Sequence, residues 1–152
     1  MARNPLALAL VIVGSLAMAV ATFLPFHEAV GFHRIEKNTL MQNGSGWILV
    51  VLALVIAATG YGVSQGQSGK WWLPLIWCVV AAVFVIWIAN DRNMRTLYPV
   101  GADGSIDTSQ PGVVAGLGIA IYLAGFGVAA AAIGALMLRQ STPTTRAVGD
   151  KH

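Results

Sequence analysis

The sequence predicts an all-α membrane protein, a four-transmembrane-helix bundle with two outer loops, one of which has room for a small β-hairpin. Three observations lead there. Hydrophobic residues make up 57% of the 152-residue chain and charged residues 10%, whereas a soluble domain carries roughly 25% charged residues because its surface faces water. Mean hydropathy is +0.72. The apolar residues also fall into four blocks, 6–26, 47–63, 71–89 and 113–138, that contain no Asp, Glu, Lys, Arg or His. A hydrocarbon core of ~30 Å needs about 20 helical residues, with ~17–25 the usual range. Backbone groups in lipid have no water to bond, so helices are the form such blocks take, and none of them alternates as a barrel strand would.

The first block opens after Arg3 and closes at Pro25-Phe26. Arg3, an apolar run and Ala17-Met18-Ala19 also resemble a secretory signal with a small-residue cleavage site. The run continues through Phe23, Leu24 and Phe26 to spanning length, which favours a retained helix. The second block follows Asn43-Gly44-Ser45-Gly46. A short polar turn, 64–69, separates it from the third, where Ser68 is placed to cap and Pro74 falls in or near the first turn. In the fourth, Ser109 is placed to cap, with Pro111 just inside the helix. Residues 1–138 thus form the membrane domain, and 139–152, polar and containing Pro143, read as a disordered cytoplasmic tail.

Charge sets the orientation. Four spans put both ends on one side. With the N-terminus inside, Arg3, Lys70, Arg139, Arg146 and Lys151 lie inside, and Arg34, Lys37, Arg92 and Arg95 lie outside among most of the acidic residues. The positive-inside rule then gives a multi-pass protein of the cell (inner) membrane with cytoplasmic N and C termini. Phe23, Phe26, Trp47 and Trp87 fall near the outer interface, and Tyr61, Trp71 and Trp72 near the inner one; Trp77 lies deeper. The abundance of Ala, Val and Gly suits a GC-rich bacterial genome.

The absence of any carboxylate, amine, guanidine or imidazole side chain inside the blocks excludes much chemistry. Proton- and ion-coupled transporters need such groups at depth. Axial haem ligands are often His, and all three His lie outside the blocks. Cys78 has no partner for an intrachain disulfide. The +3 formal charge is scattered, and no basic run is long enough to suggest nucleic acid or a strong anionic-lipid patch. The polar residues at depth are Ser15, Thr59, Cys78 and Tyr122. Ser15 and Tyr122 lie about ten residues into their blocks, ~15 Å at 1.5 Å per residue, where they meet across a helix pair or, more simply, bond local carbonyls.

His27, Glu28, His33, Glu36 and Asp91 gather at the outer side as candidate recognition residues. Their spacing is not HExxH and matches no zinc pattern, so the expectation is a solvated loop with local ion pairs and no metal, cofactor or catalytic residue. Helix contact is the more positive signal. Gly112-xxx-Gly116 is read as opening the fourth helix, Gly118 and Gly125 follow, and Ala120, Ala124, Gly127, Ala131 and Ala135 continue the small face. Ala53 and Ala57 form a weaker counterpart on the second helix. Of the outer loops, 32–42 and 97–108, the second contains Tyr98-Pro99-Val100 and Ser105-Ile106 flanking an Asp103-Gly104 turn, a hairpin pattern.

Four helices with two outer loops resemble the claudin layout, but that family's outer-loop Trp and paired Cys are missing, as are tetraspanin cysteines. In composition and layout the chain resembles small four-helix actinobacterial membrane proteins of unassigned function, a resemblance that transfers no residue roles. The expectation is a non-catalytic accessory or assembly subunit of a larger envelope complex, a lipid transporter or respiratory assembly, with membrane lipid and other subunits as partners. The alternative is a small oligomeric channel or lipid-binding carrier.

Overall fold

The computed structural model describes residues 4–28, 39–42, 44–66, 70–92, 96–98, 109 and 112–140. Four helices carry the chain: α1 (Pro5–Ala21), α2 (Gly46–Ser64), α3 (Trp72–Asn90) and α4 (Ile119–Gln140). Four two-residue strands sit between them: β1 (His27–Glu28), β2 (Thr96–Leu97), β3 (Val113–Val114) and β4 (Gly116–Leu117). Three helices, α2, α3 and α4, are long and apolar enough to cross a membrane. Helix α1 is apolar but shorter, at 17 residues, or ~25 Å.

Local chemistry explains the helix ends. Asn4 caps α1 by accepting the Ala7 amide at 3.2 Å, with Pro5 in the first turn, where its missing N–H costs little. The chain leaves α1 through tighter i→i−3 bonds, Phe23 N–H to Val20 O and Leu24 N–H to Ala21 O, which prolong the helical path by about a turn. Helix α2 ends at Gly66, whose φ of +112° is the backbone that glycine takes without strain. Pro74 is buried in the first turn of α3, as expected. Ser68 lies outside the described residues.

The fourth apolar block is where the structure departs from expectation. Residues 113–117 are extended strand, and helix begins at Ile119. Ser109 sits in a turn well before that start and does not cap it. The Gly112-xxx-Gly116 spacing is therefore not a helix-packing motif. Tyr122 correspondingly falls in the first turn of α4 and is 65% exposed, so it does not meet Ser15 at mid-span.

Helices α1 and α4 lie antiparallel along a seam in which their backbones touch. A methyl group on Gly14 would overlap the carbonyl oxygen of Gly127, and one on Gly127 would stand 2.6 Å from that of Gly14. One turn or two away, a methyl on Gly134 would meet Ala7 O at 2.7 Å. Both pairings have residue numbers with the same sum, so Ala21 falls level with Ala120, and all these positions are buried. The small residues thus recur every seven positions on both helices, Ala7-Gly14-Ala21 against Ala120-Gly127-Gly134, which keeps one seam in contact over its length. Helix α2 joins this pair where Gly60 leaves room for Val11, 2.6 Å from a would-be methyl. Away from the seam the core is aliphatic: Leu49, Leu52 and Ile56 from α2, Val85 and Ile88 from α3.

The expected small face on α4 is therefore real at Ala120, Ala124, Gly127, Ala131 and Ala135, all buried. Its main counterpart is α1, not the Ala53–Ala57 stretch of α2. Large apolar side chains point outward instead, among them Leu16, Leu54, Val79, Val83 and Phe126. Small inside and large outside suits lipid, where burying apolar surface gains nothing but close backbone approach gains dispersion.

Gly125 and Gly127 separate close packing from mere composition, because a methyl on Gly125 meets nothing within 4 Å. Gly127→Ala should lower stability by about 1–3 kcal/mol, the usual cost of overpacking. Gly125→Ala should be neutral or stabilising by up to ~1 kcal/mol, since Ala is the better helix former. Thermal unfolding in mild detergent reads both; equal melting of the two variants would contradict the seam.

Candidate functional site

The end of the helix assembly at which α1 and α3 finish and α2 and α4 begin, the one expected to face outward, is tied together by backbone hydrogen bonds between segments distant in sequence. After α1 the chain turns extended at Pro25 and Phe26, and their carbonyls accept from Ala120 N–H at 3.1 Å and Gly118 N–H at 2.8 Å. The first turn of α4, which begins without a side-chain acceptor of its own, is thereby capped by residues almost a hundred positions earlier. The same register continues into β1 and β4, where His27 pairs with Leu117 and Glu28 with Gly116, antiparallel. Just upstream, β3 pairs antiparallel with β2, Val113 with Leu97 and Val114 with Thr96. One extended stretch, 113–117, thus links the segment after α1 to the segment after α3, with Ala115 buried between the two ladders.

A second tie closes the entry to α2. Thr39 bridges Pro25, and Met41 N–H donates to Thr22 O at 3.1 Å, satisfying a carbonyl left over at the end of α1. Thr39 and Gln42 bond reciprocally, backbone N–H to Gln42 Oε1 at 2.9 Å and backbone N–H to Thr39 Oγ1 at 3.3 Å, the S/T-x-x-E/Q capping-box pattern in a turn. Leu40 O then accepts the Gly46 amide at 2.9 Å as α2 begins. Phe26 and Leu40 are fully buried under this cap. The expected hairpin around Asp103-Gly104 lies outside the described residues. The β2–β3 pairing brackets that stretch on either side.

The candidate residues separate accordingly. Gly112 precedes β3 and Gly116 lies in β4, so neither belongs to a helix. Gly118 is buried just before α4 and gives its amide to Phe26. Gly125 is on α4 but faces open space within this chain. The glycines at the helix contacts are Gly14, Gly60, Gly127 and Gly134. Of the four, Gly127 had been read into the small face of α4; Gly14, Gly60 and Gly134 had not. The seven-residue spacing of Ala7, Gly14 and Ala21 is the sequence signal that could have pointed to α1.

His27 and Glu28 form β1, at the outer end. Asp91 follows α3, where its amide donates to Trp87 O at 3.0 Å. His33 and Glu36 lie outside the described residues. Among the described residues no three His, Cys, Asp or Glu side chains gather as a metal ion would require.

Buried polar groups are few and local. Thr59 Oγ1 donates to Val55 O at 2.7 Å, and Thr22 Oγ1 to Ala19 O at 2.7 Å, the back-bonding by which a hydroxyl is accommodated in an apolar helix. Ser15 Oγ and Ser45 Oγ are buried without a hydrogen-bond partner among the described residues. Among the aromatic residues Phe26 is buried and Phe126 is exposed partway along α4, whereas Phe23, Trp47, Trp87 and Tyr122 are exposed towards the tied end and Tyr61 and Trp72 at the other. There Arg139, at the end of α4, stacks over Trp71 with its guanidinium carbon 4.5 Å from the ring centroid.

Paired antiparallel residues have Cα atoms roughly 4.5–5.5 Å apart, within the ~4.4–6.8 Å that a disulfide spans. On a Cys78→Ser background, cysteines placed at Glu28 and Gly116 should therefore cross-link readily under mild oxidation. Cysteines at Glu28 and Gly112 should not. Mobility on non-reducing gels checks both, and efficient bonding of the second pair would refute the register. Set beside protein families, curated proteins and solved structures, the chain matches none.

Proposed function

We propose that this chain is a non-catalytic accessory or assembly subunit of a larger envelope membrane complex, a lipid transporter or a respiratory assembly. In this reading all four helices span the cell membrane as a bundle, with the N and C termini in the cytoplasm. The observation that carries it is the chemistry of the buried faces. Among the described residues the core is mostly Ala, Gly and aliphatic side chains, with Met18, Phe26, Cys78 and the hydroxyls of Ser15, Thr22 and Ser45, and the charged residues stand at the ends of the helices. Coupled transport and membrane redox chemistry place ionisable or ligating groups at depth. A chain built only for tight packing is suited to holding other components in place.

Further features support the reading. Helix α1 forms one side of the tightest contact in the fold, which suits a retained span; removal at Ala17-Met18-Ala19 would take away Ala7, Val11 and Gly14 from the core. Exposed aromatic residues at both ends match the two headgroup levels of a bilayer. Among the described residues Lys70 and Arg139 stand at one end and Arg92 at the other, a basic count of two to one that agrees with the first end inside. The surface left for a partner is the outward face of α4, including Gly125, Phe126 and Ile133, and the outer cap.

Native-membrane purification in mild detergent should recover a larger partner in stoichiometric amount. Gly125→Leu should cut that recovery about tenfold, the effect of 1.4 kcal/mol, without lowering the variant's own melting temperature, because a Cβ at Gly125 meets nothing within 4 Å among the described residues. Recovery of a lone homo-oligomer would count against the subunit reading and favour a channel or lipid carrier. In a Cys78→Ser background, a cysteine at Asp103 should label in intact cells and one at Lys70 only after permeabilisation. The reverse pattern would overturn the orientation.

A further inference from the structure

The stacked Arg139–Trp71 pair has a use that bundle packing leaves unfilled. Cation–π stacking occupies the face of the guanidinium, and its N–H donors project in the plane of the group, away from the ring. Arg139 is exposed, and Trp71 beneath it is half-buried, which holds the charge at a fixed place between the start of α3 and the end of α4. The position coincides with the limit of the α4 span, Ile119–Arg139. Lys70, exposed and adjacent to Trp71, adds a second cation. Asp91 stands at the opposite end of the helices, where α3 finishes.

We propose that Arg139, held by Trp71 and assisted by Lys70, forms a binding site for the phosphate of an anionic phospholipid at the α3–α4 seam. The proposal rests on the membrane-spanning reading above. Three features select this ligand. A planar guanidinium with free edge donors matches two phosphate oxygens at once. Two cations at one place favour a lipid with net negative charge over a zwitterionic one, whose own cation opposes them. The exposed aromatic rings of Trp72 and Tyr61 at the same end mark the depth at which lipid phosphates lie. Tethered by its acyl chains to the adjoining apolar faces, such a lipid is retained where free phosphate would dissociate.

The full chain in neutral detergent, titrated with phosphatidylglycerol, phosphatidylcholine or inorganic phosphate, tests this by thermal shift and by lipid retained in native mass spectrometry. Phosphatidylglycerol should be retained on the order of fivefold better per basic residue than phosphatidylcholine at low ionic strength, and the preference should fade in high salt. Arg139→Gln should abolish most of the preference, and Arg139→Lys, which keeps charge but loses the planar stack, should keep part of it. Equal retention of the two lipids, or an unchanged preference in Arg139→Gln, would overturn the proposal. Stabilisation by inorganic phosphate equal to that by the lipid would also overturn it, in favour of a free-anion site. Flotation with vesicles separates the premises. A chain that does not float removes the membrane reading itself, whereas one that floats without headgroup preference removes only the lipid site.

Discussion

Backbone contact between α1 and α4 is the constraint on which the other features of this molecule depend. Gly14 and Gly127 each present a Cα–H where another residue would have a side chain, and each aims it at the other's carbonyl oxygen. Such contacts contribute about 0.5–1 kcal/mol each, but their larger consequence is geometric. They bring two helices close enough for their flanking side chains to interlock, Met18 against Gly127 and Val11 into the spaces left by Gly134 and Gly60. In lipid no hydrophobic force drives helices together, so this approach supplies the dispersion that holds the bundle. It also forces the large side chains outward, which is where the bilayer needs them.

The outer cap follows from the same placement. With α1 and α4 fixed side by side, the end of one faces the beginning of the other. The carbonyls of Pro25 and Phe26 then reach the amides of Ala120 and Gly118 without any intervening side chain. These bonds cap α4, set the register of β1 on β4, and position the 113–117 stretch to pair with the segment leaving α3. Polar backbone is thereby satisfied at the ends of apolar helices, where an unsatisfied group shielded from water costs several kcal/mol. At the other end, the ordering element is a single stacked cation.

Much of this was legible in the sequence, and the exceptions have physical reasons. Charge-free blocks located three spans and the first helix because spanning length and polarity leave little choice of form. Phe26, expected at an interface, is instead buried in the core. The error came in 113–118. Val-Val-Ala-Gly-Leu-Gly is as apolar as a helix and shorter than any period can resolve, so apolarity alone could not separate strand from helix. Its glycines, each about 1 kcal/mol unfavourable in a helix interior, and its paired valines were the signal against helix. The acceptors that settle the matter, Pro25 and Phe26, belong to a distant segment, and no local pattern announces them. The same limit hid the partner of α4. A lone Gly14 in an aliphatic block draws no notice until Ala7 and Ala21 are seen at its own spacing from either side. The Arg139–Trp71 stack likewise joins two span ends that only the antiparallel arrangement brings together.

The central claim is that the α1 and α4 backbones touch within one chain, and a double-mutant cycle tests it most directly. Gly14→Ala and Gly127→Ala would each force the helices apart, and a separation that admits one methyl admits much of the other. The pair should therefore cost less than the sum of the single variants, with a coupling of roughly 0.5–3 kcal/mol, the range for residues in contact. Costs that add to within about 0.3–0.5 kcal/mol, as for sites far apart, would contradict the contact and the account built on it.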